Sequence, residues 1–242
     1  MKKSPVGHQD RDRYWLLSSV YERLASLVFG QELVAAHRDL IEGGRGALAQ
    51  CTELIWIGGG TGVLIEELLS AAPQATLTYI EPSKSMLKRA QSRVHQMVQR
   101  DQERVIWVNA THEWLYQRAQ IDSSQTPAED HANHQRCLLT VFFMDVLTAP
   151  QCHELMEWAR EAQVNTWLFA DFIVQTGWIK RAFIQWMYVC FMVTTQIKQR
   201  SLLDHLQLFH EHGWSALKES GRYRAHDLVF SALLTQEGHT SL

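Results

Sequence analysis

The stretch Glu53-Leu54-Ile55-Trp56-Ile57-Gly58-Gly59-Gly60-Thr61-Gly62 decides the fold. Leu54 to Ile57 is a short apolar run, the pattern of a buried strand. Four glycines then stand at 58, 59, 60 and 62, and Val63-Leu64-Ile65-Glu66-Glu67-Leu68-Leu69 follows with apolar residues at helical spacing. The expected unit is strand, glycine turn, helix. Glycine lets the backbone turn sharply and lets a ligand lie against it with no Cβ in the way. The helix N-terminus adds unpaired N–H donors and a partial positive charge. At the carboxyl end of a parallel strand, such a turn is where doubly wound folds hold a nucleotide. The dinucleotide fingerprint G-x-G-x-x-G/A asks for a small residue at 63, where this chain has Val63; its own pattern is G-x-G-x-G over Gly58, Gly60 and Gly62.

The next run, Ala75 to Ile80, reads as a second strand, with Glu81 at its end, 23 residues after Gly58. A carboxylate at that remove is placed to accept hydrogen bonds from ribose hydroxyls. Pro82 ends the strand and Ser83 is a helix cap. Met86, Leu87, Ala90, Val94 and Met97 then form the apolar stripe of an amphipathic helix.

Ile57-Gly58-Gly59-Gly60-Thr61-Gly62-Val63-Leu64, followed by Tyr79-Ile80-Glu81-Pro82-Ser83-Lys84-Ser85-Met86-Leu87, resembles the first two motifs of class I S-adenosylmethionine-dependent methyltransferases. The resemblance implies that Gly58, Gly59, Gly60 and Gly62 surround the methionine part of the cofactor. It implies that Glu81 and Pro82 lie at the ribose and that Met86 borders the adenine. Two positions depart from the family pattern. Trp56 stands where an acid commonly reaches the methionine ammonium. Ala110 and Thr111 follow the third strand (Arg104 to Val108), where the family shows a carboxylate that accepts from the adenine amino group.

Residues 11–29 read as a helix with Tyr14 and Tyr21 on one face. Tyr21 to Gly30 is similar to an element that closes over the cofactor in small bacterial members related to ubiquinone/menaquinone methyltransferases; plain packing is the other reading. Cys137 to Phe143 is a continuous apolar run, as a central parallel strand should be. Phe142-Phe143-Met144-Asp145 at its end resembles the same subgroup, where this place faces the transferred methyl. Either Phe142 and Phe143 wall the methyl donor and acceptor with Asp145 nearby, or the phenylalanines are core and Asp145 caps the next segment. A helix over 151–162 and a fifth strand over Thr166 to Ala170 follow, with Asp171-Phe172 at its carboxyl edge. Ala182 to Ile197 carries no charge, and its aromatic residues, Trp186 and Tyr188 among them, read as one wall of an apolar acceptor pocket or as core. The run is shorter than the ~20 apolar residues of a spanning helix. Ser201 to Gly213 reads as a capped helix. Trp214 to Ser220 and His226 to Leu234 read as a closing antiparallel hairpin joined by Gly221 to Ala225.

The expected architecture is therefore α/β, a Rossmann-like class I methyltransferase fold. It has a seven-stranded, mostly parallel sheet, a C-terminal antiparallel hairpin and N-terminal lid helices. The 242 residues are expected to form one domain: helices over 1–50, a cofactor-binding core over 53–172, a helical acceptor-side segment over 173–212 and the hairpin over 213–236. Hydrophobic residues make up 46 % of the chain, enough for a large core, and a net charge of −3 argues against a nucleic-acid surface. The four cysteines form neither a close pair nor a metal spacing, and read as buried reduced thiols of a cytoplasmic protein. The first ten residues lack the apolar stretch of a signal peptide. Ala119 to Arg136 is polar and reads as a surface loop; its His131 and His134 have no partner cluster, so no metal is expected.

The expected reaction is methyl transfer from S-adenosylmethionine to a small, apolar or aromatic acceptor. No triad is needed, since the sulfonium methyl is already activated and the protein mainly aligns the reactants. Base candidates are Asp145, His112 and His205. The rival readings are a non-catalytic methyltransferase-like binding subunit and a nicotinamide-dependent oxidoreductase. Membrane contact is not expected, and oligomeric state is not legible.

Overall fold

The computed structural model describes residues 36–122, 135–172, 205–216, 223–225 and 229–236. A first helix, α1, covers 36–50 of the described chain. It leads into β1 (Glu53–Ile57), α2 (Ile65–Ala71), β2 (Thr76–Ile80), α3 (Lys84–Val94), the single turn α4 (Gln99–Gln102) and β3 (Val105–Val108). Then come α5 (Glu113–Asp122), β4 (Arg136–Val141), α6 (Ala149–Glu161) and β5 (Val164–Phe172), followed by α7 (His205–Glu211), β6 (Trp214–Ala216), β7 (Tyr223–Ala225) and β8 (Val229–Gln236).

The sheet order is β3-β2-β1-β4-β5-β8-β6, with β7 paired to β8. The first five strands are mutually parallel; β8 runs antiparallel to β5, β6 and β7. The order reverses between β1 and β4: from β1 the chain moves outward to β2 on one side, and from β4 outward to β5 on the other. This is the switch point beyond whose carboxyl ends open α/β sheets bind ligands.

Alternation along each strand sorts the core into two layers. Leu54, Trp56, Leu77, Tyr79, Leu139 and Leu168 face the layer of α1, α2 and α3. Ile55, Ile57, Ile80, Leu138, Trp167 and Phe169 face that of α5, α6 and α7. In the second layer the Trp167 indole N–H donates to Thr140 Oγ1 at 2.8 Å. The rings of Phe209 and Trp214 meet Trp167 edge-on.

Local signals account for the helix ends. Ser83 Oγ accepts from Met86 N–H at the start of α3. Gln151 Oε1 accepts from the N–H and hydroxyl of Thr148, with Pro150 in the first turn of α6. The Arg104 guanidinium donates to the carbonyls of Leu69, Ala72 and Ala75, closing the C-terminal end of α2. At the starts of the central strands β4 and β1, Arg136 pairs with Glu53 at 2.6 Å.

Two expectations are corrected. The polar stretch expected to be loop from Ala119 is helical as far as Asp122, because α5 continues through it. The connection expected over Gly221 to Ala225 contains the strand β7, whose Tyr223, Arg224 and Ala225 pair with Ala232, Ser231 and Phe230. Among the described residues the sheet thus has eight strands, seven of them on the continuous path. No helix among the described residues is long and apolar enough to cross a membrane. Cys51, Cys137 and Cys152 are free and buried.

Candidate functional site

The glycine turn leaves β1 at the switch point and is packed from three sides. A Cβ on Gly58 would stand 2.5 Å from Phe143 Cδ2, one on Gly59 2.3 Å from Tyr79 Cε2, and one on Gly62 2.8 Å from Ala90 Cβ of α3. At Gly60, with φ +60°, none of the described residues lies within 4 Å of that point. Three glycines therefore make room for the protein's own side chains, and Gly60 leaves space on the ligand side of the turn.

The peptide units around Gly60 are held on both sides. Its N–H donates to Glu81 Oε2 at 2.9 Å, and its carbonyl accepts from the Tyr79 hydroxyl at 2.9 Å. The other oxygen of Glu81 accepts from Ser83 N–H at 2.8 Å. Glu81 is 5 % exposed. Burial pushes its carboxyl above the ordinary value of 4.5, and the two backbone donors at Ser83 and Gly60 pull against that shift. Each carboxylate oxygen keeps a second lone pair for a hydroxyl of a ligand. Asn109, at the end of β3, donates its amide N–H groups to the carbonyls of Glu81 and Pro82, so the loops after β2 and β3 are fastened together.

Beneath the turn runs an aromatic row. Trp56, Tyr79 and Trp107 are neighbours across β1, β2 and β3, their rings edge-on at 5.1 and 5.2 Å. The Trp56 indole N–H is buried without a hydrogen-bond partner. No carboxylate comes from position 56, so an ammonium group at the turn must be met otherwise.

The two phenylalanines after β4 part company. Phe142 takes the left-handed backbone (φ 52°) and packs toward the layer of α1, its ring 6.1 Å from that of His37. Phe143 turns to the other layer, lying on Gly58 and edge-on to His112 at 5.8 Å. His112 in turn meets Tyr116 edge-on at 5.8 Å.

Of the residues singled out in the sequence, Gly58, Gly59, Gly60, Gly62, Glu81, Phe143 and His112 thus form one connected group. Pro82 is exposed and Met86 half-buried at the start of α3. Ala110 is half-buried, and Thr111 is exposed with its hydroxyl donating to Glu113 Oε2 at 2.9 Å. Asp145 is buried, in a turn of 3-10 helix after β4, and its N–H donates to the buried Asp171 Oδ2 at 3.0 Å. His205 opens α7 and packs on Phe169 of β5, ring centroids 5.6 Å apart. Tyr14, Tyr21, His131, His134, Trp186 and Tyr188 lie outside the described residues.

Sequence reasoning passed over Tyr79, Asn109 and His37. The signal for Tyr79 was its place two residues before Glu81, opposite Trp56 in a parallel pair. Burial lowers the His37 imidazole from 6.5 to about 4. The unfolded chain then binds the extra proton between those values, so this contribution to stability is full above pH 6.5 and lost as pH falls toward 4. His37 is expected to titrate near pH 4 by NMR, and His37→Phe to reduce the acid sensitivity of folding. An ordinary titration near 6.5 would mean that this end of α1 is open to water.

No protein-family model matches the chain, and comparison with curated proteins finds no match. Solved structures do match. An O-methyltransferase family protein from Burkholderia thailandensis superposes with a TM-score of 0.62 at 14 % identity, over 97 % of this chain and 62 % of its own. An O-methyltransferase from neocarzinostatin biosynthesis, solved with S-adenosylmethionine and 2-hydroxy-5-methyl naphthoic acid, gives 0.52 at 16 % identity, over 91 % and 58 %. Human N-acetylserotonin methyltransferase, solved with S-adenosylmethionine, gives 0.51 at 12 % identity, over 94 % and 56 %. The fold is therefore that of the class I methyltransferases, and the chain spans about three-fifths of the length of these structures.

Proposed function

We propose that the chain binds S-adenosylmethionine on the Gly58–Gly62 turn and transfers its methyl group to a small, apolar or aromatic acceptor. The observation that carries this reading is Gly60. Its peptide is fixed by Glu81 and Tyr79, and none of the described residues comes within 4 Å of where its Cβ would stand. The residues fit the cofactor: Gly60 leaves room for its chain, Glu81 offers lone pairs to its ribose, and the apolar end of α3 with Met86 borders a base. Trp56 is the departure, and it leaves the cofactor's ammonium group to water or to residues outside those described.

When bound, the cofactor supplies an activated methyl group on a positively charged sulfur. The chain's task is to hold the acceptor in line and keep water out. Phe142 and Phe143, one on each side of the β4 end, give that place apolar walls. A base is needed only for an acceptor that carries a proton. Asp145, His112 and His205 are all buried, so burial does not choose among these candidates; Asp145 also has its backbone N–H tied to Asp171, and His112 is given another role below. A hydroxylated aromatic acceptor is in keeping with the naphthoic acid held by the neocarzinostatin enzyme. Kinship with ubiquinone/menaquinone-type enzymes rests on the Phe142-Phe143-Met144-Asp145 string and the Tyr21 to Gly30 segment.

The test is transfer of labelled methyl from S-adenosylmethionine to a panel of phenols, naphthoates and quinols. Transfer to any of them supports the enzyme. Tight cofactor binding with transfer to none favours the second reading, a non-catalytic binding subunit, for which the unpartnered Trp56 indole is the motive. With an acceptor in hand, Trp186→Ala or Tyr188→Ala is expected to raise KM for the acceptor about tenfold, the scale of losing one buried ring contact, and to leave cofactor affinity unchanged. Equal losses for both ligands would assign the 182–197 run to the core.

A further inference from the structure

Two buried polar atoms beside the turn have no partner: His112 Nε2 and the Tyr116 hydroxyl. A buried polar group left unpaired costs about 1–3 kcal/mol, and native proteins rarely leave two together. They sit one helical turn apart at the start of α5, ring against ring, and His112 also abuts Phe143, which lies on Gly58. The half-buried Phe143 ring thus lies between His112 and the turn. Burial drives both groups toward their neutral forms: it lowers the His112 imidazole against the pull of Glu113 and Glu154, and raises the Tyr116 phenol. A neutral imidazole offers one acceptor nitrogen, and a phenol offers a donor.

The direction of a bound nucleoside follows from the sheet order. With the ribose at Glu81 on β2 and the rest of the cofactor along the turn after β1, the base extends to the loop after β3. Asn109 clamps that loop to Glu81 and Pro82, and His112 ends it. The exposed Thr111 hydroxyl is already directed at Glu113.

We propose that His112 and Tyr116 read the amidine edge of the cofactor's adenine, His112 Nε2 accepting from the 6-amino group and the Tyr116 hydroxyl donating to N1. They take over the task of the carboxylate that Ala110 and Thr111 lack. The proposal rests on the S-adenosylmethionine reading above.

Calorimetry of the full chain with S-adenosylhomocysteine and with its 6-desamino analogue tests it. The wild-type chain should lose about tenfold in affinity with the analogue. His112→Phe, which keeps a ring against Phe143, should lose about tenfold for S-adenosylhomocysteine and show no preference between the two ligands. Tyr116→Phe should show the same coupling with the 1-deaza analogue, and keeps the proposal open to refutation if His112→Phe does not fold. Wild-type binding that ignores both changes in the base overturns the assignment, as does a preference that survives in both variants. A wild-type chain that does not bind S-adenosylhomocysteine at all overturns the cofactor reading, and this inference with it.

Discussion

A Gly60→Val chain is expected to fold and to bind S-adenosylhomocysteine at least about a hundredfold more weakly than the wild type, or ~2.7 kcal/mol. Its Cβ would meet no atom of the described residues within 4 Å, so their packing is spared. Two costs remain. A branched residue at φ +60° is strained by about 1–2 kcal/mol, which lowers stability. The side chain also fills the space left on the ligand side of the turn. Gly59→Val makes the contrast: its Cβ would fall 2.3 Å from the Tyr79 ring, so its main loss is in folding. Thermal melts and calorimetry on the two variants separate these outcomes. Normal binding by a folded Gly60→Val chain would remove the turn from the site.

Glu81→Ala should weaken S-adenosylhomocysteine binding by about 1–3 kcal/mol, the scale for removing a charge-assisted partner. It acts twice. The ribose loses its acceptor, and the N–H groups of Gly60 and Ser83 lose theirs, so the turn is no longer fixed before the ligand arrives. Glu81→Gln keeps one acceptor oxygen and should fall between. The apo chain carries an independent mark of this carboxyl. Burial raises it above 4.5, so the folded chain holds the proton more tightly than the unfolded one. That contribution to stability is full below pH 4.5 and is lost as pH rises through the folded value, and Glu81→Gln should abolish it. Unchanged affinity in a well-folded Glu81→Ala chain would end the ribose assignment.

What could be read in the sequence was local. The run into Gly58, the break at Pro82, the Ser83 cap and the carboxylate 23 residues after Gly58 each depend on neighbours in the chain, and each lies where the pattern put it. The reason for each glycine could not be read, because it comes from other strands. Gly58 is glycine for Phe143 and Gly59 for Tyr79, pairings that exist only once β1 lies between β2 and β4. The split of Phe142 from Phe143 escaped for a related reason. β4 ends at Val141 and Phe142 takes the left-handed backbone, so Phe142 stays with Val141 on the layer of α1 while Phe143 turns to the other. Strand β7 was hidden by Gly221, whose turn signal is local, while its pairing with β8 is not. The end of α5 was lost because Ala119 to Asp122 carry too little apolar periodicity to be told from loop.

The claim that the Gly58–Gly62 turn is an S-adenosylmethionine site, and not a dinucleotide site, is tested most directly by titration calorimetry of the full chain. S-adenosylhomocysteine and NAD are compared, with Gly60→Val as the control. The expected result is saturable one-to-one binding of S-adenosylhomocysteine that Gly60→Val weakens at least about a hundredfold, and no heat with NAD. Binding of NAD with no response to S-adenosylhomocysteine would contradict it.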